Sequence, residues 1–122
     1  MTGGILFLED DRAQMTIYRQ MTKKYLQDRP VFYAETVPEA EEILQAQEIH
    51  LAVVDLMIPT ENGADLIMKM KENSAYDCIK IVVVTAAEEG TLLHNALGGV
   101  VDDYVTKPID QKAFSQMINE IL

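Results

Sequence analysis

Cysteine is almost missing from this chain. Cys78 stands alone, so no internal disulfide can form, and a reducing compartment is expected. Basic residues are scarce: 10 Lys and Arg face 20 Asp and Glu, for a net charge of −10. That balance argues against a nucleic-acid surface on this chain. Long apolar runs are lacking as well. None reaches the length that a bilayer requires, and no signal peptide is visible. The expectation is a cytoplasmic protein with no membrane association. The two histidines, His50 and His94, have no metal-like spacing. No linker, low-complexity segment or repeated motif interrupts the chain.

What is present reads as one domain, 1–122. Hydrophobic residues are 48% and charged residues 25%, an ordinary globular composition with enough apolar material for a core. Short apolar runs alternate with helical patterns. Ile5–Leu8, Val31–Ala34, Leu51–Val54 and Ile81–Val84 read as strands. Tyr104–Thr106 is the preferred fifth strand, over Val100–Val101. Between them lie helical segments: Arg12 to Leu26, then Thr36 to about Gln47, a third after Asn62–Gly63, a short one over Gly90 to Leu97, and a last one from an Asp110 N-cap. In the first, Ala13, Ile17, Met21 and Tyr25 form the expected apolar stripe, with Tyr18 beside it. Met15 falls off that stripe, near the acids that precede the helix, and is a candidate partner contact. Asp11 and Gln14 fit a capping pair, and Thr36 with Glu39 a capping box. Five β-α units of this length imply a parallel sheet covered by helices on both faces.

Four strands end in polar residues: Glu9 and Asp10, Asp55, Thr85 and Lys107. In a parallel sheet these ends share one edge, where ligands bind. Carboxylates crowded at that edge repel one another unless a hard cation neutralises them, and Mg²⁺ favours all-oxygen ligands. A hydroxyl and an ammonium beside them suit the oxygens of a phosphoryl group. A carboxylate so flanked can act as a nucleophile and form an acyl phosphate.

These residues and their order resemble the receiver domain of two-component response regulators, the flavodoxin-like family that includes the chemotaxis response regulator. The matching motifs are Ile5–Asp11, Val53–Pro59 with Asn62–Gly63, Val83–Ala86 and Asp103–Pro108. The resemblance implies a three-layer (βα)5 sandwich with strand order 2-1-3-4-5. It implies Asp55 as phosphoacceptor, Lys107 as the phosphate-pairing lysine, Thr85 as the switch hydroxyl and Tyr104 as the switch aromatic. It also implies a Mg²⁺ site, open to Mn²⁺, made by Glu9, Asp10, Asp55 and the Met57 carbonyl, and a cis Lys107–Pro108 bond. One departure is Glu9, where the family more often has Asp. A second is Gly98–Val101, which differs from the family's usual Gly-Ala and bears on the end of the fourth helix.

The implied partners are a sensor histidine kinase or histidine phosphotransfer protein, and an output domain or downstream protein. The latter would meet the surface of the fourth helix, fifth strand and fifth helix. The family pattern also allows a phosphorylation-dependent homodimer. The implied role is a signalling switch whose only chemistry is self-phosphorylation and slow autodephosphorylation. Three rivals fit less well. A flavodoxin would carry a Ser/Thr/Gly phosphate cradle in place of Glu9-Asp10-Asp11. A dehalogenase-type aspartyl phosphatase needs Asp-x-Asp after its first strand. A pseudo-receiver usually lacks the acceptor or the acids, and this chain has both.

Overall fold

The computed structural model describes residues 3–58, 61–85, 101–107 and 109–121, with Met57, Ile58, Glu61, Asn62, Thr85 and Ile121 described by backbone alone. Five strands form one parallel sheet: β1 (Gly4–Leu8), β2 (Val31–Ala34), β3 (Ile49–Asp55), β4 (Lys80–Thr85) and β5 (Asp103–Thr106). Their spatial order is β2-β1-β3-β4-β5, the order that the sequence led us to expect. The helices are α1 (Arg12–Tyr25), α2 (Val37–Ala46), α3 (Gly63–Glu72) and α4 (Gln111–Ile121). A two-residue antiparallel pair, Met57–Ile58 with Glu61–Asn62, links β3 to α3. The expected helix over Gly90–Leu97 and the Lys107–Pro108 bond fall outside the described residues. Of the alternative fifth strand, Val101 is described and lies just before β5. No helix among the described residues is long and apolar enough to cross a membrane.

The central strands are apolar on both sides, so alternate residues feed two cores. Leu6, Leu8, Ala52, Val54, Ile81 and Val83 pack under α2 and α3. Ile5, Phe7, Leu51, Val53, Val82 and Val84 pack under α1 and α4. Phe7 anchors the second core: its ring centroid is 4.5 Å from that of Tyr18 and 6.2 Å from that of Phe114.

Capping follows the residue types. Asp11 accepts from the Ala13 N–H at 2.9 Å, and Asp110 from the Ala113 N–H at 2.8 Å. Thr36 accepts from the Glu39 N–H at 3.2 Å. The last strand is tied at its start by Asp102, which precedes it. The Asp102 N–H donates to the Ile81 carbonyl at 2.8 Å, and the Ile81 N–H donates back to Asp102 Oδ2 at 2.7 Å.

The inward face of α1 differs from the expected stripe. Gln14, Met15, Tyr18, Met21 and Thr22 are buried, whereas Ala13 and Tyr25 are exposed and Ile17 is only partly covered. The i, i+4 series from Ala13 to Tyr25 drifts around the helix by about 40° per step, because four residues turn it 400°. Steps of three and four, as from Met15 to Tyr18 to Met21 and Thr22, stay on one side. Met15 is therefore core, not a partner contact. Met15→Ala is expected to cost about 2–3 kcal/mol by cavity formation, read by urea denaturation. Ala13→Ser, on the exposed side, is expected to change stability by less than about 0.5 kcal/mol. The reverse ranking would restore the stripe first read from the sequence.

Candidate functional site

The carboxyl ends of β1, β3 and β5 bring acid and base together. Beyond Leu8 the chain keeps pairing with β2, since the Glu9 N–H donates to the Ala34 carbonyl at 2.9 Å. That fixes Glu9 at the strand tip, fully buried. Asp55 ends β3 and is 3% exposed. Lys107 follows β5 directly and reaches inward. Its Nζ donates to Asp55 Oδ2 at 2.9 Å and to Glu9 Oε2 at 2.9 Å. Glu9 Oε1 lies 2.8 Å from the same ammonium, yet no donor is aligned on it for a hydrogen bond. Lys107 thus bridges two of the acids.

Asp10 is half-buried beside them. Carboxylate oxygens of Glu9, Asp10 and Asp55 all lie within 4.8 Å of one another. Asp11 stands apart in role. Its side chain caps α1, and its backbone N–H donates to Glu9 Oε2 at 3.1 Å. Thr85 is the last residue of β4, paired with Thr106 of β5, and so shares this edge through its backbone. Met57 sits in the short antiparallel pair, opposite Asn62. Tyr104 is half-buried on β5 and packs against the core beneath α2 and α3. Burial raises its pKa.

One ammonium facing two buried carboxyls leaves an excess negative charge. Glu9 absorbs it. Burial is the main cause that pushes its pKa up to about 7, and the Asp55 carboxyl beside it adds to the rise. Lys107 and the Asp11 N–H oppose the rise without cancelling it. Lys107 itself is held above its ordinary range: burial acts to lower it, but its contacts with Glu9 and Asp55 outweigh that. Tyr18 lies near enough to feel both acids. Its pKa is raised strongly, first by burial and then by the Glu9 and Asp55 charges.

The donor set suits a hard divalent cation. It is all oxygen, and one buried oxygen, Glu9 Oε1, lacks an aligned donor. Opposite ligands of one Mg²⁺ stand about 4.2 Å apart and adjacent ones about 3 Å apart, so carboxylate oxygens within 4.8 Å of one another would draw together to hold one ion.

Two positioning residues escaped the sequence reading. Gly63 opens α3 against the backbone at the end of β3: a Cβ there would collide with the Asp55 carbonyl oxygen and stand 3.0 Å from Leu56 Cα. The Asn62–Gly63 dipeptide signals a turn, but not this close approach. Gln14 is no capping partner. It is buried, and its amide bonds to the Ile109 backbone. His50 is half-buried at the opposite end of the sheet, and Cys78 is exposed there. His94 lies outside the described residues.

Comparison with known proteins agrees with this geometry. The response regulator receiver domain family model matches residues 5–119. The chain is 30% identical over 121 residues to the transcriptional regulatory protein CitT of Halalkalibacterium halodurans, covering 94% of this chain and 50% of that protein. It is 34% identical over 106 residues to the transcriptional regulatory protein PhoP of Escherichia coli, covering 85% and 45%. It thus spans about half the length of these relatives. A two-component response regulator from Legionella pneumophila superposes with a TM-score of 0.84 at 20% identity, covering 98% of both chains, which speaks to the fold alone.

The raised Glu9 pKa sets a pH dependence. The native state binds a proton more tightly than the unfolded chain between about pH 4.5 and about pH 7, so stability falls as pH rises through that window. With Mg²⁺ chelated, Glu9→Gln is expected to gain stability relative to wild type as pH rises from about 5 to about 8, read from denaturation midpoints. A pH-independent difference would show that Glu9 carries no such burden.

Proposed function

Because the chain belongs to the response regulator receiver domain family, we propose that Asp55 is its phosphoacceptor and the three-strand edge its phosphorylation site. The carrying observation is the buried Asp55 carboxylate, 2.9 Å from the Lys107 ammonium. The phosphoryl donor is a phosphohistidine on a sensor histidine kinase or histidine phosphotransfer protein. An Asp55 carboxylate oxygen attacks phosphorus, the P–N bond breaks with its electrons going to the imidazole, and an aspartyl phosphate remains.

Each nearby side chain has a part. Lys107 offsets the negative charge brought by the incoming group and moves from carboxylate to phosphoryl oxygen as that group arrives. Thr85, at the end of β4, supplies a hydroxyl to the same oxygens. Glu9, Asp10, Asp55 and the Met57 carbonyl would hold the Mg²⁺, or Mn²⁺ in its place. When bound, the ion neutralises charge on the phosphoryl oxygens. Water attack on the aspartyl phosphate later returns the carboxylate. This makes the protein a switch with slow self-dephosphorylation, not a metabolic enzyme.

The output reading rests on the family to which the chain belongs. On that reading Thr85 and Tyr104 move together when the phosphoryl group arrives. The face proposed to change for an output domain, a downstream protein or a second copy is that of the expected fourth helix, β5 and α4. The driving energy is the difference in phosphate contacts between two states, so populations shift and the fold stays.

Acetyl phosphate with Mg²⁺ is expected to add one phosphoryl mass to the intact protein, on the peptide containing Asp55. Asp55→Asn is expected to abolish it. Asp10→Asn should demand much more Mg²⁺ for the same rate, and chelator should stop the reaction. Labelling of Asp55→Asn at the wild-type level would overturn the assignment, and indifference to chelator would remove the metal from the scheme.

A further inference from the structure

Lys107 sits at the centre of the site, yet it lies beyond the end of β5, where the strand ladder no longer fixes it. Something else must hold this stretch. The described side chain that does so is Gln14, on the first turn of α1, 95 positions from its partner in sequence. Gln14 is 4% exposed. Its Nε2 donates to the Ile109 carbonyl at 3.3 Å, and its Oε1 accepts from the Ile109 N–H at 3.1 Å. The amide orientation is fixed by these partners, since only one way round offers a donor to the carbonyl and an acceptor to the N–H. Ile109 is itself fully buried, so both of its backbone groups depend on this contact. The clamp joins two parts of the site. Gln14 lies four residues after Asp10, and Ile109 two residues after Lys107.

The geometry points to Gln14 as a positioning residue for the phosphorylation reaction, acting through Lys107. It holds the Lys107 loop against α1 at the height where the ammonium meets Glu9 and Asp55. A ladder bond cannot do this beyond Thr106, and an apolar side chain at position 14 would leave two buried backbone groups unpaired. The inference rests on the phosphoacceptor reading above and deepens it, by adding the residue that sets where the lysine stands.

Gln14→Met keeps length and removes both hydrogen bonds. With acetyl phosphate as donor and saturating Mg²⁺, its maximal rate is expected to fall on the order of tenfold, as for a displaced catalytic group, with little change in the donor KM. The same substitution in a Lys107→Met background is expected to change the rate by less than about twofold, because the group being positioned is gone. Without donor or metal, the Lys107 Nζ resonance should move toward that of a solvated ammonium in Gln14→Met. The Ile109 amide in wild type should be protected from hydrogen exchange, a measurement that needs no variant to fold. A wild-type rate in Gln14→Met, an equal loss in both backgrounds, an unmoved Lys107 resonance or a rapidly exchanging Ile109 amide would each overturn the inference. If wild type takes no label on Asp55, the phosphoacceptor reading fails by itself. The Lys107 resonance and the Ile109 amide then still decide whether Gln14 holds the lysine.

Discussion

The structure turns on one buried charge arrangement: an ammonium shared by two carboxylates that come from different strands. A buried carboxyl without a counter-charge is costly, and burying two side by side compounds the cost. Lys107, 2.9 Å from both Glu9 and Asp55, makes their proximity tolerable. It does so incompletely, because one positive charge meets two negative ones. The raised Glu9 pKa is the visible residue of that imbalance. A site left with surplus negative charge suits a divalent cation, and its all-oxygen donor set is of the kind such an ion takes. The same electrostatic deficit thus connects the resting state to the chemistry proposed for it.

The sheet supplies the rigidity that this balance needs. β1 is paired on both sides, by β2 and β3, and β3 lies between β1 and β4. Glu9 and Asp55 therefore extend from adjacent central strands with buried neighbours on both faces. Gly63 adds a constraint from α3, since its missing side chain lets the helix start against the Asp55 carbonyl. Lys107 alone comes from an edge strand, and the Gln14 clamp on Ile109 compensates for that weaker support.

Much of this was legible in the sequence because the signals were local. Runs such as Ile81–Val84 are β-branched and uniformly apolar, and each run that ends in an acid, a threonine or a lysine places that residue at one edge by topology alone. Asp11, Thr36 and Asp110 announced helix starts through short side chains that bond within three residues. What could not be read depended on distant partners or on the phase of a helix. Gln14 offered a plausible local partner in Asp11, while its real one is 95 positions away. Met15 looked peripheral because a regular i, i+4 series drew attention to the wrong side of α1. Lys107 could be matched to a phosphate by its type, but its preference for Glu9 and Asp55 appears only when all three are placed.

Asp102 carries a consequence of its own. By exchanging two hydrogen bonds with Ile81, it sets the register in which β5 begins, with Asp103 opposite Val82. Lys107 lies five residues further along the same chain. A slip of one residue at Asp102 would carry the ammonium about 3.3 Å along the strand and turn its side chain to the opposite face, a displacement larger than its contacts with Glu9 and Asp55. The end of the sheet remote from the chemistry therefore acts as the zero mark of a ruler, and the charge at the other end is read off against it.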